Sequence, residues 1–242
     1  MRMFIGTSGY SYAEWKGVFY PKGLAAAKML SYYAQRLPAV EVNNTFYRLP
    51  KRGMLERWAA QVPEGFRFAL KASRRITHIK RLVDAESETE YLLGATEALG
   101  AKLGVILFQL PPYLRKDLPR LERFLGVLAG NVRASFEFRH PSWFDEEVFA
   151  LLRAHDCALC TADTDEQAAA VTSTAGWGYV RLRRAAYSDD ELRGWAARLQ
   201  SRAWDHVYVF FKHEDEGAGP RLAARLCELA GMAVPAGSGA GA

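Results

Sequence analysis

A (β/α)8 barrel is the fold class this sequence predicts, and three observations carry the prediction. Eight short apolar, β-branched or aromatic runs recur along the 242 residues, their starts roughly 20 to 40 residues apart, the room a strand and its crossover helix require. A strand-like run comes first, a helix-like stretch follows the eighth, and helix-like stretches fill the intervals. Nearly every run ends in polar side chains, and a barrel carries its active site at the C-terminal ends of its strands. The competing fold, a doubly wound open sheet, commonly begins with a Gly-x-Gly-x-x-Gly turn, which Gly6-Thr-Ser-Gly9 does not supply.

Taken in order, the predicted strands are Met3–Ser8, Ala39–Asn43, Phe66–Lys71, Gly104–Gln109, Ala134–Arg139, Ala158–Asp163, Gly178–Arg183 and His206–Phe211. Predicted helices are Leu24–Gln35, Met54–Gln61, Glu86–Leu99, Leu118–Leu128, Asp145–His155, Ser188–Gln200 and Arg221–Ala230. Ser188-Asp-Asp-Glu191 has the capping-box form, and Pro220 suits the first turn of the last helix. Thr164–Ala170 is too short to fill the sixth crossover convincingly. No linker rich in Pro, Gly or Ser divides the interior, so residues 1–232 read as one barrel domain and 233–242 as a flexible C-terminal tail.

Composition narrows the function classes. Half the residues are hydrophobic and 24% charged, ordinary for a soluble globular protein, and no apolar run approaches the roughly 18 residues of a membrane span. With no apolar leader at Met1-Arg-Met-Phe, the expected location is the cytoplasm and no membrane partner is expected. A net charge of +5 leans toward an anionic partner, either a small molecule or nucleic acid. The three cysteines read as buried thiols, since Cys157-x-x-Cys160 runs into a strand rather than a helix N-terminus and no second pair completes a zinc site.

Alternation in Ala134–Arg139 puts Ser135, Glu137 and Arg139 on one face and Phe136 and Phe138 on the other, before Pro141 ends the strand. Applied to all eight strands, the same alternation expects Ser8, Glu41, Asn43, Lys71, Gln109, Glu137, Arg139, Asp163, Arg181, Arg183 and Lys212 at the mouth. A purely structural barrel fills those layers with Val, Ile and Leu, because an unpaired buried charge costs several kcal/mol. A buried ion-pair network is the bland alternative, and a ligand site is the favoured reading. Tyr10, Tyr12, Trp15, Phe46, Tyr47, Trp143 and Phe144 lie on the following loops with His140, where aromatics either stack on a ligand or seal the barrel.

Two loops concentrate features that suit an anion. Ser73–Arg81 follows the third strand with four cations and His78, and reads equally as a solvated face or an anion rim. The turn after the eighth strand places Gly217 and Gly219 beside a helix start, where barrels commonly cradle phosphate, with Arg181 and Arg183 supplying charge. Metal binding is disfavoured. Glu41, Glu137, Asp163 and His140 are suitable ligand types, but the cations crowd the same mouth and no His-x-x-x-His or paired Cys spacing appears.

Phe4-Ile-Gly-Thr-Ser-Gly-Tyr-Ser-Tyr12, Glu41-Val-Asn-Asn-Thr-Phe-Tyr47, Phe68-Ala-Leu-Lys71 with Ile76-Thr-His78, Leu107-Phe-Gln-Leu-Pro-Pro112 and Glu137-Phe-Arg-His-Pro-Ser-Trp143 stand in one order along the chain. In this the sequence resembles the YecE-like proteins, domain-of-unknown-function family 72. The resemblance implies a TIM-type barrel and no settled activity. Its motif positions fall here on Ser8, Tyr10, Trp15, Glu41, Asn43, Thr45, Tyr47, Lys71, His78, Gln109, Glu137, Arg139 and Trp143. Many members end the eighth strand with an aromatic and Asn-Asn, whereas this chain reads Phe211-Lys-His-Glu214.

The function expected from the residues is an enzyme acting at the barrel mouth on a phosphate-bearing substrate: a sugar phosphate, nucleotide or nucleic-acid end. The chemistry is carboxylate acid–base catalysis of hydrolase or isomerase type, with Glu137, Glu41, Lys71, Arg139 and Asp163 as the catalytic set. Substrate would be held by Ser8, Tyr10, Trp15, Asn43, Tyr47, His78, Gln109, His140, Trp143, Arg181, Arg183, Lys212, Gly217 and Gly219. No motif specifies a cofactor, and no metal ligand set is assigned. The alternative is a non-catalytic nucleic-acid-binding module using the same basic, aromatic-lined mouth. On the enzyme reading Glu137 is free for chemistry, so Glu137→Gln is expected to cost under about 1 kcal/mol of stability.

Overall fold

In a computed structural model of the chain, which describes residues 1–128, 130, 132–166, 170–212 and 217–232, eight parallel strands close into a barrel in sequence order. They are β1 (Arg2–Ser8), β2 (Ala39–Val42), β3 (Arg67–Lys71), β4 (Leu103–Gln109), β5 (Ala134–Glu137), β6 (Ala158–Asp163), β7 (Trp177–Leu182) and β8 (His206–Phe211). Closure is made by β8 against β1, in register from Arg2↔His206 to Thr7↔Phe211. The predicted TIM-type barrel is therefore the fold, and every expected strand is present within three residues of its expected bounds.

Outside the barrel lie α1 (Met29–Ala34), α2 (Asn44–Tyr47), α3 (Arg52–Ala59), α4 (Glu86–Thr96), α5 (Leu118–Leu128), α6 (Glu146–Ala154), α7 (Asp189–Gln200) and α8 (Ala218–Leu229). Their apolar stripes explain their docking. Leu121, Phe124, Leu125 and Leu128 recur at helical spacing on α5 and are buried, with Phe124 edge-on to Phe108 at 5.2 Å. Ser188 and Glu191 form the expected reciprocal capping box at the start of α7.

Two crossovers differ from expectation. Only Met29–Ala34 of the stretch Leu24–Gln35 is α-helical, preceded by a 3-10 turn at Ala26–Lys28 whose residues are all exposed. With no buried face on its first turn, the alanine run has helix propensity but nothing to pack it. Between β6 and β7 the described residues form no helix. Thr174 instead bonds the strand edge there, accepting from the Leu159 amide at 2.7 Å and donating to the Cys157 carbonyl at 2.8 Å. The expected tail, 233–242, lies outside the described residues. Among the described residues no helix is long and apolar enough to cross a membrane, and all three cysteines are free and buried.

Barrel interiors are usually filled by branched aliphatics, whereas this one holds Phe4, Trp177, Tyr179, Tyr208 and Phe210 among small residues such as Ala39, Ala69 and Ala158. Phe4 stacks on Tyr208 at 5.1 Å, and Tyr179 meets Phe210 at 5.5 Å. Tyr208 fits because Gly104 has no side chain, since a Cβ there would stand 2.7 Å from the ring. The rings fill the barrel up to Tyr179, and the polar layer begins directly above it.

Candidate active site at the barrel mouth

Above Tyr179 the next inward residue of β7 is Arg181, and its guanidinium is the centre of the mouth. One terminal nitrogen donates to Glu41 Oε1 at 2.8 Å and the other to Glu137 Oε2 at 2.6 Å. The Tyr179 hydroxyl donates to Glu41 Oε2 at 2.7 Å, and Asn43 Nδ2 donates to Oε1 at 3.2 Å. Gln109 Nε2 and Arg139 Nε donate to Glu137 Oε1 at 2.8 and 3.2 Å. Glu41, Glu137 and Arg181 are 0%, 4% and 2% exposed, so this is a buried triad spanning β2, β5 and β7.

Charge in the triad is set by competition between burial and pairing. Burial alone would push the Glu137 acid upward, but Arg181, Arg139 and the Gln109 amide outweigh it and bring it down to about 2. Burial likewise opposes ionisation of Glu41, and Arg181 with the Tyr179 hydroxyl reverses it, so this acid too is lowered. Both are therefore carboxylates at neutral pH with little appetite for a proton. A general base works best with a pKa near the operating pH, which weighs against the expected carboxylate acid–base role.

Lys71 is in the opposite situation. It closes β3 beside the triad, and its Nζ lies 4.2 Å from the centre of the Phe46 ring. Among the described residues no carboxylate is within salt-bridge distance of it. Burial first, then Arg181, pulls its pKa down to about 8, with Glu137 and Glu41 only partly compensating. Burial, reinforced by Lys71 and Arg139, also lowers His78, whose ring stands edge-on to Phe46 at 4.9 Å.

These side chains open onto a cavity of ≈ 280 Å³ that gathers Ser8, Asn43, Tyr47, Lys71, Gln109, Arg139, Arg181 and Arg183 from the residues expected there. It adds Asn44, which sequence reasoning left out of the site, and Tyr12 and Phe46, which it read as mouth aromatics without assigning them to the substrate. The Glu-Val-Asn-Asn-Thr-Phe-Tyr run held the signal for two of these, because α2 begins at Asn44 and turns Phe46 back over Lys71. Tyr179, which holds Glu41, was also missed, although it shares the inward parity of Arg181.

Other expected residues lie elsewhere. Asp163 faces outward. On β6 it is Ala158 and Cys160 that belong to the interior and Ala162 that pairs in register with Arg181, so the odd positions point to the helices. Its Oδ2 accepts from the Tyr187 hydroxyl at 2.9 Å. Trp15 is fully buried among Tyr12, Phe19 and Tyr20. Trp143 stacks flat on Phe138 at 4.6 Å and donates its Nε1–H to the Leu114 carbonyl, a sealing role. His140 caps the turn Pro141–Trp143 by accepting from the Ser142 amide, and Tyr10 packs against Tyr33.

At the other loop, Gly217 adopts a φ of 71° at the start of α8 and faces Val18, while Gly219 is buried within the helix. Arg181, expected to supply charge there, is bonded to two glutamates instead. Lys212 follows β8, its amide donating to the Leu182 carbonyl, and residues 213–216 of that loop lie outside the described residues. Of the basic rim, Arg75 and Lys80 are paired with Glu88, at 3.5 and 2.7 Å. No three of His, Cys, Asp and Glu converge as metal ligands among the described residues.

Comparison with known proteins gives the same barrel in related chains. A crystal structure of a DUF72 family protein from Thermotoga maritima superposes with a TM-score of 0.81 at 26% identity, covering 95% of this chain and 99% of that one. A DUF72 family protein from Enterococcus faecalis gives 0.80 at 18% identity, covering 96% of each chain, and supports the fold alone. In sequence, the UPF0759 protein YecE of Escherichia coli (strain K12) is 31% identical over 143 residues, 59% of this chain and 50% of YecE. YunF of Bacillus subtilis (strain 168) is 28% identical over 164 residues, 63% of this chain and 57% of YunF. The matches thus span about half the length of those relatives. The family model described as "Protein of unknown function DUF72" matches residues 4–239, so from the first strand to beyond the last helix this chain belongs to that family.

Proposed function

We propose that the protein is an enzyme that takes a small phosphate-bearing anion into the barrel mouth and uses Lys71 as its proton-carrying group. One observation carries the reading: Lys71, Arg139, Arg181 and Arg183 line a single cavity whose carboxylates, Glu41 and Glu137, are turned down onto Arg181. The excess of positive charge faces the cavity, and an anion is what it attracts. Arg139 spends only its Nε on Glu137 and keeps its terminal nitrogens for a ligand, which suits the forked geometry of phosphate. Lys71, with a pKa near 8, exchanges protons close to working pH, whereas Glu137 does not.

Calorimetry with inorganic phosphate and a panel of sugar phosphates tests the reading. Arg139→Ala and Arg183→Ala are each expected to weaken binding at least about tenfold, the worth of one charge-assisted hydrogen bond. Arg74→Ala on the outer rim should leave it unchanged. Equal binding by all three variants and wild type sinks the reading.

A specific observation supports the alternative, a nucleic-acid-binding module. Beside the mouth, and sharing Asn44 with it, a pocket of ≈ 360 Å³ joins Leu49, Met54 and Trp58 to Arg48, Lys51 and Arg57. Cations over an apolar floor suit a base with its phosphate. Tight oligonucleotide binding that Lys51→Ala and Arg57→Ala abolish, with no turnover of any sugar phosphate, would favour the module.

A further inference from the structure

We infer that Lys71 is a nucleophile, and that the anion this mouth accepts carries an aldehyde or ketone that Lys71 captures as an imine. The inference rests on the anion-binding reading above and names its substrate class.

Three independent features of the geometry point to it. The backbone of Lys71 is fixed, because its carbonyl accepts from the Thr45 hydroxyl at 2.7 Å while the same hydroxyl reaches the Val42 carbonyl at 3.1 Å. The lysine is thus held at the strand end, with its side chain lining the cavity. Its amine has no anionic partner among the described residues, since both carboxylates of the layer are engaged by Arg181. A lysine kept only to balance charge would sit against one of them. Finally, the wall beside Nζ is the Phe46 ring, and of its charged neighbours two are arginines while the two carboxylates are already held by Arg181. Around it stand Arg181 from β7, Glu137 and Arg139 from the end of β5, Glu41 from β2 and His78 from the turn after β3.

A desolvated lysine beside other cations is the arrangement that frees the amine for attack on a carbonyl. With a pKa near 8 instead of 10.5, the neutral amine rises from about three parts in ten thousand to about one in ten at pH 7. The chemistry balances without any co-reactant. Nζ donates its lone pair to the carbonyl carbon, and the C=O π electrons move to oxygen. That oxygen collects two protons from nitrogen and its surroundings and leaves as water. An ammonium and a carbonyl become an iminium and one water, with no net change in protons or electrons. Arg139 and Arg183 hold the anionic end and so fix which carbonyl meets Nζ, and the ≈ 280 Å³ cavity limits the partner to a small molecule.

Borohydride trapping on the full chain tests the inference. The protein is incubated with pyridoxal 5′-phosphate as an anionic aldehyde, and separately with pyridoxal as its uncharged counterpart, then reduced and mapped by peptide mass spectrometry. Lys71 should be labelled at least tenfold faster than exposed Lys22 or Lys28, with a rate that rises through pH 8. Excess sulfate should protect it, and Lys71→Arg should lose the adduct at that peptide while keeping a wild-type circular dichroism spectrum. Labelling of Lys71 no faster than of the exposed lysines overturns the inference, and wild type alone gives that result whether or not the variant folds. The two readings fail separately. Phosphate binding without a Lys71 adduct removes the nucleophile and leaves the anion site. Preferential labelling by pyridoxal, with no phosphate binding by calorimetry, removes the anion site and leaves the nucleophile.

Discussion

Glu137→Gln is the substitution that most directly probes how the mouth is held. The carboxylate accepts three hydrogen bonds, from Arg181, Gln109 and Arg139. A glutamine offers one oxygen in place of two and sets its own N–H groups against one of those donors. Arg181, 2% exposed, is then left with one carboxylate instead of two. Lowering this acid from 4.5 to about 2 corresponds, at 1.36 kcal/mol per unit, to about 3 kcal/mol of native-state stabilisation at neutral pH. Removal of one partner from a buried pair costs a similar amount, about 3–5 kcal/mol. We therefore expect a loss of about 3 kcal/mol, or a Tm lower by roughly 6–12 °C for a chain of this size. The sign of the pH dependence follows. Because the folded acid is the stronger one, its contribution is complete above pH 4.5 and disappears as pH falls toward 2. Urea unfolding of wild type and variant, followed by tryptophan fluorescence at pH 7 and again at pH 3, should show the gap narrowing on acidification. A difference below about 1 kcal/mol at pH 7, the outcome expected of a carboxylate kept free for chemistry, would refute the triad.

Three further outcomes follow from the same geometry. Lys71→Met should stabilise the protein by about 1–3 kcal/mol, since it removes a partly buried ammonium beside Arg181, and a lower Tm would contradict this. Sulfate, whose charge is constant across the range, should bind at least about tenfold more weakly as pH rises through 8 and Lys71 loses its proton, while Lys71→Met should flatten that profile. Asp163→Asn should lower stability by about 1 kcal/mol through its bond to Tyr187 and leave sulfate affinity unchanged, a separation that calorimetry and thermal melts can read together.

The strands were legible because each carries a two-residue alternation bounded by breakers, and eight of them with helical spacers admit few topologies. What alternation supplies is parity, and parity is only as good as its reference residue. On β5 and β7 it put Glu137 and Arg181 correctly inward, but on β6, counted from the strand's end, it placed Asp163 inside when Ala162 occupies that position. Nor does parity say who meets whom. Arg181 lies 140 residues from Glu41 and 44 from Glu137, separations at which only closure of the barrel makes contact. The aromatic loops were ambiguous for another reason. Burying an indole and stacking it on a ligand demand the same residue, so Trp15 and Trp143 could be assigned only once their neighbours were known.

Arg181 has a consequence beyond the charge it carries. Lying across the barrel axis with both arms tied, it acts as a bulkhead between two compartments. Below it the aromatic rings are sealed from solvent, and above it the loops are free to be rewritten. Substitutions in the upper compartment should combine additively with those in the lower one, except at the triad and Tyr179, which touch both. A lineage built on such a partition can change what it binds by altering the residues around Lys71 and Arg139 without reopening the question of whether the barrel folds. Relatives with divergent mouths over a common floor are what that architecture permits.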